Sequence, residues 1–198
     1  MVTLNIIGSF NPTAQCRGGK TMGECSKQQP VKKSGGEGAK LFIAIPARLS
    51  STRLPEKPLQ NLAGKSMIAR VTERALCFAR QVKNKYGFAE AHVIVATDDP
   101  RIAKCAQEEG AVATLTSPHL QSGTDRIFAA LESQGLAPND LVINIQGDEP
   151  FFSFDDVASL VGTMLSKPEV PMGTLAFERT SREHFFKSSV VKVVRSQS

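Results

Sequence analysis

Residues 46–58 read Pro46-Ala47-Arg48-Leu49-Ser50-Ser51-Thr52-Arg53-Leu54-Pro55-Glu56-Lys57-Pro58. They follow an apolar run, Leu41-Phe42-Ile43-Ala44-Ile45, of the kind shown by a strand buried on both faces. A helical pattern begins soon after, at Ser66. The stretch is therefore a loop at the C-terminal end of a strand, which is where open α/β sheets bind their ligands. Arg48, Arg53 and Lys57 place three cations in it. Guanidinium forks and a mobile ammonium suit a polyanion, and a nucleoside triphosphate is the obvious candidate. The loop has neither G-x-x-x-x-G-K-[ST] nor G-x-G-x-x-G. Phosphates would be held by side chains and turn amides rather than by a glycine backbone.

Outward from this loop the pattern alternates. Strands are expected over 41–45, 91–96, 112–115, 141–145, 172–177 and 190–194. Helices are expected from Ser66 to about Tyr86, after a cap at Asp98 or Asp99 through Glu109, from Thr124 to about Gln134, and from Asp155 to about Leu165. Gly87, Gly110 and Gly135 stand where these helices would stop. Alternating β and α units predict a doubly wound, mostly parallel sheet. Residues 1–40 differ: they are rich in Gly, Lys, Ser and Gln, and they read as a flexible basic tail ahead of a domain over 41–198.

The chain has 198 residues and a formal net charge of +5. Six basic and two acidic residues fall within 1–40, so the remainder is nearly neutral. With no basic stripe interleaved with aromatics, nucleic acid is not an expected partner. No apolar stretch reaches the length of a membrane span, and the first ten residues lack the basic n-region of a signal peptide. A cytoplasmic location is the default expectation. Cys16, Cys25, Cys77 and Cys105 match no zinc spacing. Cys77, at helical spacing on an apolar face, is expected in the core.

Four ordered segments give the chain its resemblance. Ile45-Pro46-Ala47-Arg48, Ser51-Thr52-Arg53-Leu54-Pro55 and Lys57-Pro58-Leu59 form the first. Val95-Ala96-Thr97-Asp98-Asp99, then Gln121-Ser122-Gly123-Thr124-Asp125-Arg126, then Val142 to Pro150 with Gln146-Gly147-Asp148-Glu149, follow in order. Val191-Lys192-Val193-Val194 is a weaker fifth match. Together they resemble the sugar cytidylyltransferases, most of all those that act on 3-deoxy-manno-octulosonate (KDO). The resemblance covers about residues 41–194. It implies a Rossmann-like nucleotidyltransferase fold, incomplete at its C-terminus and lacking roughly its last third. It also implies a reaction of CTP with KDO giving CMP-KDO and pyrophosphate, and a homodimer in full-length members. Other cytidylyltransferases, such as acylneuraminate or spore-coat types, and a CTP-binding fragment without turnover are the alternatives.

Carried onto this chain, the resemblance places Arg48, Arg53 and Lys57 on the triphosphate, with Ala47 and Ser51 beside them. Asp148 becomes a Mg²⁺ ligand and Gln146 a sugar contact. Ser122 and Arg126 fall near the cytosine base. Mg²⁺ takes one or two carboxylates plus phosphate oxygens, which suits a carboxylate at the same sheet edge as a phosphate loop. Gly, Asp and Pro are also common in a strand-ending turn, and Ser122 also fits a helix cap. Two positions depart from the family. Glu56 stands where glycine is usual, and a carboxylate there resists a positive φ and repels phosphate unless it faces away. Ser117-Pro118-His119-Leu120 lacks the usual Asp-His ending. Thr97-Asp98-Asp99 is expected only to cap a helix.

Overall fold

Among the described residues, a six-stranded sheet carries four α-helices on its two faces. The computed structural model describes residues 5–8 as backbone, 38–50, 54–178, 183, 186–187 and 190–193. Its strands are β1 (Asn5–Gly8), β2 (Lys40–Ala47), β3 (Asn61–Leu62), β4 (Lys65–Ser66), β5 (Glu90–Thr97), β6 (Val112–Leu115), β7 (Leu141–Asn144) and β8 (Met172–Thr174). The helices are α1 (Met67–Tyr86), α2 (Pro100–Glu108), α3 (Gly123–Leu131) and α4 (Phe154–Ser166).

Each helix starts where a polar side chain can take an orphan amide. Ser66, Asp99, Ser122 and Ser153 accept hydrogen bonds from Ala69, Arg101, Asp125 and Asp156 respectively. Helix α1 ends at Gly87, whose φ of 71° is easily reached without a Cβ. Pro100 opens α2, where its missing N–H costs nothing.

The sheet order is β6-β5-β2-β7-β1-β8. Strands β6, β5, β2 and β7 pair in parallel. The chain winds from β2 outward through β5 to β6, then returns to place β7 on β2's other side. The order therefore reverses between β2 and β7, and ligands favour that point in such sheets. Alternation along β2 supplies both cores. Leu41, Ile43 and Ile45 pack with Ile68, Val71, Phe78, Val82, Ile102 and Val161, drawn from α1, α2 and α4. Phe42 and Ala44 pack on the other face with Ile127, Ala130 and Leu131 of α3. Large side chains such as Phe42, Phe78 and Ile43 are almost wholly buried, and each is worth about 1.5–3 kcal/mol of transfer free energy.

The structure differs from the expected pattern at several places. Residues 5–8, assigned to a flexible tail, form β1 and lie inside the sheet. This strand runs antiparallel to β7, with Ile6 opposite Ile143, and antiparallel to β8, with Ile6 opposite Gly173. The rest of the expected tail up to residue 37 lies outside the described residues. The small β3–β4 hairpin was not foreseen, because two-residue strands carry no readable period. Strand β8 is shorter than the expected 172–177. Residues 190–193 form no strand, and Val194 lies outside the described residues. Cys77 is exposed on α1 rather than buried, while Cys105 is half-buried against the core. Among the described residues no helix is long and apolar enough to cross a membrane.

Candidate active site

Strands β2 and β7 end side by side, so the segments that leave them face each other. Ile145 N–H still donates to the Ala44 carbonyl at 3.0 Å, one step beyond the paired residues. The turn that follows, Gln146-Gly147-Asp148, lies hard against β2: a Cβ on Gly147 would sit 2.9 Å from the Pro46 carbonyl oxygen. Glycine is required there for close approach of two backbones. This contact brings Asp148 to the loop that carries Arg48 and Lys57.

Between the two segments lies a cavity of about 470 Å³. Pro46, Ala47 and Arg48 line one side, Leu54, Lys57 and Pro58 the loop's far end, and Gln146, Gly147 and Asp148 the β7 side. Arg48 is exposed and forms no ion pair among the described residues. Lys57 Nζ forms an ion pair with Asp148 Oδ2, and both side chains remain partly open to solvent. Gln146 Nε2 donates to Asn144 Oδ1 at 3.2 Å, which orients its amide at the cavity wall. Glu149 follows Asp148 and is half-buried. Burial first, and the Asp148 charge second, push its carboxyl above the usual range, and its Oε2 has no hydrogen-bond partner among the described residues.

The sequence-derived candidates divide into three groups. Ala47, Arg48, Lys57, Gln146 and Asp148 meet around this one cavity. Ser51 and Arg53, with Thr52, lie outside the described residues. Ser122 and Arg126 do not line the cavity. Ser122 caps α3, accepting from Asp125 N–H at 3.0 Å and donating to Asp125 Oδ2 at 2.7 Å. Arg126, expected at a ligand's base, is 3% exposed and donates to Thr116 Oγ1 and to Asp98 Oδ2. Its head group is therefore used inside the protein. Gly123 likewise approaches protein, its Cβ position lying 3.3 Å from Pro46 Cγ.

A second cleft of about 500 Å³ opens on the other side of the loop, between it and the turn after β5. Glu56, Asp98 and Asp99 line it, so its charge is wrong for phosphate. Glu56 has φ 51° and ψ 33°, the left-handed conformation in which a glycine is more usual. Its carboxylate accepts from Arg101 at 2.9 Å and so belongs to this acidic cleft, away from Arg48. Arg101 and Asp98 escaped sequence reasoning, because a charged pair after a strand looks like nothing more than a helix cap. Asp99 does cap α2; Asp98 instead accepts from the Leu49 N–H at 3.0 Å. Among the described residues, no group of three or more His, Cys, Asp or Glu could hold a metal by itself.

The cytidylyltransferase family model matches residues 42–198, and the chain belongs to the cytidylyltransferase family. A 3-deoxy-manno-octulosonate cytidylyltransferase of Idiomarina loihiensis is 41% identical over 152 residues, covering 77% of this chain and 56% of the relative. One from Francisella tularensis subsp. novicida is 40% identical over 156 residues, covering 79% and 58%. The chain thus spans little more than half the length of these curated relatives. Among solved structures, CMP:2-keto-3-deoxy-manno-octonic acid synthetase complexed with CTP superposes with a TM-score of 0.56 at 42% identity, covering 67% of this chain and 50% of that one. A cytidylyltransferase from Leptospira borgpetersenii, at 23% identity and a TM-score of 0.52, shares the fold.

Proposed function

We propose that this chain transfers CMP from CTP to KDO, giving CMP-KDO and pyrophosphate. The observation that carries the proposal is the meeting of Arg48, Lys57 and Asp148 around one cavity at the switch point of a cytidylyltransferase sheet. The names of the relatives support CTP as the donor and KDO as the acceptor. No membrane-spanning helix is found among the described residues, in keeping with action in the cytoplasm.

In this reaction the sugar's anomeric hydroxyl attacks the α-phosphorus. A new P–O bond forms, the bond to the β-phosphate oxygen breaks, and pyrophosphate leaves with its electron pair. The hydroxyl proton passes to solvent. Such a displacement needs alignment and charge neutralisation more than a strong base. Arg48 and Lys57, with Arg53, would hold the β- and γ-phosphates. Gln146 would donate to the sugar, and Ala47 would wall the site. Ser122 and the turn it caps would meet the cytosine edge.

The cavity also fits a divalent cation. Asp148 presents a carboxylate that already takes the Lys57 ammonium, so it accepts positive charge at this place. One protein carboxylate plus phosphate oxygens is the donor set Mg²⁺ prefers. When bound, Mg²⁺ supplies charge neutralisation on the phosphates and acidifies a bound hydroxyl. Asp148 would hold it, and Lys57 would then be released toward the phosphates.

The test is pyrophosphate release by the 198-residue chain with CTP, Mg²⁺ and KDO, against controls without KDO and with neuraminate. KDO-dependent release is the expected result. Release with neuraminate alone would move the chain to another acceptor class. CTP binding with no release would reduce the proposal to nucleotide binding, and no CTP binding would overturn it.

A further inference from the structure

We infer that the turn after β5 is the rest on which the phosphate loop is set, with Asp98, Asp99 and Arg101 as its positioning residues. The inference builds on the triphosphate role proposed above for that loop.

Two anchors hold the loop, one at each end. Near its start, Leu49 N–H donates to Asp98 Oδ1 at 3.0 Å. Near its end, Glu56 Oε1 accepts from the Arg101 guanidinium at 2.9 Å. Arg101 is itself fixed on Asp99 by two bonds, Nε to Oδ1 at 3.1 Å and its terminal nitrogen to Oδ2 at 3.0 Å. Consecutive aspartates therefore hold both ends of the loop, one directly and one through a forked arginine. Each anchor is next in sequence to a cation of the cavity: Leu49 follows Arg48, and Glu56 precedes Lys57. The turn thus sets where those two cations stand relative to each other.

The rest is rigid on its far side. Asp98 Oδ2 accepts from Arg126 at 3.2 Å, in a pair whose side chains are 10% and 3% exposed. Arg126 also donates to Thr116 Oγ1, and that hydroxyl donates to the Thr97 carbonyl at 3.1 Å. The ends of β5 and β6 and the first turns of α3 are thereby tied into one unit under the loop. Water competes poorly for bonds this far from solvent. The same arrangement sorts charge. Asp98, Asp99 and Glu56 line the cleft on one side of the loop, while Arg48 and Lys57 line the cavity on the other. Glu56, which would repel phosphate if it faced the cavity, is drawn away by Arg101.

The experiment uses the full chain with Arg101→Gln, an exposed change that should leave folding intact, and Asp98→Asn. Lys104→Gln on the same helix serves as the control. Two readouts are taken: hydrogen exchange across residues 48–60, and affinity for CTP and CMP with Mg²⁺. Arg101→Gln should speed exchange in that segment about tenfold while β2 is unchanged, and should weaken CTP about tenfold with CMP unaffected. Asp98→Asn should act in the same direction. Unchanged exchange in both variants overturns the inference, as does an equal loss of CTP and CMP. If the wild-type chain binds neither nucleotide, the triphosphate role fails and the phosphate part of the inference fails with it. Exchange alone then decides whether the turn holds the loop.

Discussion

Lys57 and Asp148 are 91 residues apart in sequence and meet as an ion pair across the cavity. Both side chains are partly exposed, so the pair adds little to stability. Its importance lies in occupancy, because the cation proposed for phosphate covers the carboxylate proposed for metal. Lys57→Met should therefore have opposite effects on two ligands. Mn²⁺ binding to the nucleotide-free chain, followed by electron paramagnetic resonance, should tighten severalfold. CTP affinity should fall about tenfold. Unchanged Mn²⁺ affinity would take Asp148 out of the metal site.

Asp148→Asn keeps the shape of the side chain and removes its charge. CTP binding should change by less than about threefold, since Lys57 is freed for the phosphates. Mg²⁺-dependent turnover should fall at least about a hundredfold. A loss of CTP affinity by calorimetry with turnover at saturating CTP and Mg²⁺ unchanged, followed by pyrophosphate release, would mean that the residue acts in ground-state binding only.

Glu56 holds a left-handed conformation against its own Cβ. That costs about 1–2 kcal/mol, offset in part by its exposed ion pair with Arg101. Glu56→Gly should leave thermal stability equal or raise Tm by about 2–4 °C, while hydrogen exchange in the loop speeds up because an anchor is lost. A clear fall in Tm would show that the ion pair outweighs the strain.

Strand β1 is hydrogen-bonded on both sides, and Ile6 stands between Ile143 and Gly173. Proline there removes a ladder donor and leaves its acceptor unpaired. Ile6→Pro should destabilise the chain by about 1–3 kcal/mol in urea denaturation. An unchanged midpoint would argue that residues 5–8 contribute nothing to the sheet in solution.

The Asp99 carboxyl is held below its ordinary value of 3.8, chiefly by the Arg101 side chain, and burial opposes this in part. A depressed carboxyl stabilises the fold fully above the unfolded value. That contribution is lost as pH falls through the folded value. The Tm difference between wild type and Asp99→Asn should be constant near neutral pH. It should shrink as pH drops below about 3.8. A difference that does not vary with pH would remove the Asp99–Arg101 contact from the stability of the chain.

Much of this fold was legible from local patterns. The apolar runs at 41–45 and 141–145 announce strands covered on both faces. Ser66 and Gly87 bracket α1 by capping chemistry that acts within one turn. The cations of the loop and the carboxylate of the Gln146-Gly147-Asp148 turn could also be identified, since their residue types and positions after apolar runs are local facts. Residues 5–8 could not be placed, because a four-residue strand takes its position from partners at residues 141–144 and 172–174, and nothing nearby in sequence encodes that pairing.

What the sequence determined by itself was the alternation of the parallel strands with their helices from residue 41 to about 166, the loop that carries the cations and the family to which they belong. Tertiary structure decided what each charge faces. It turned Arg126 inward onto Asp98, drew Glu56 to Arg101 and away from the cavity, and set Lys57 on Asp148. A helix cap or an apolar run is settled within a few residues, whereas an ion pair depends on where two distant strands end. Only the folded sheet brings those ends together.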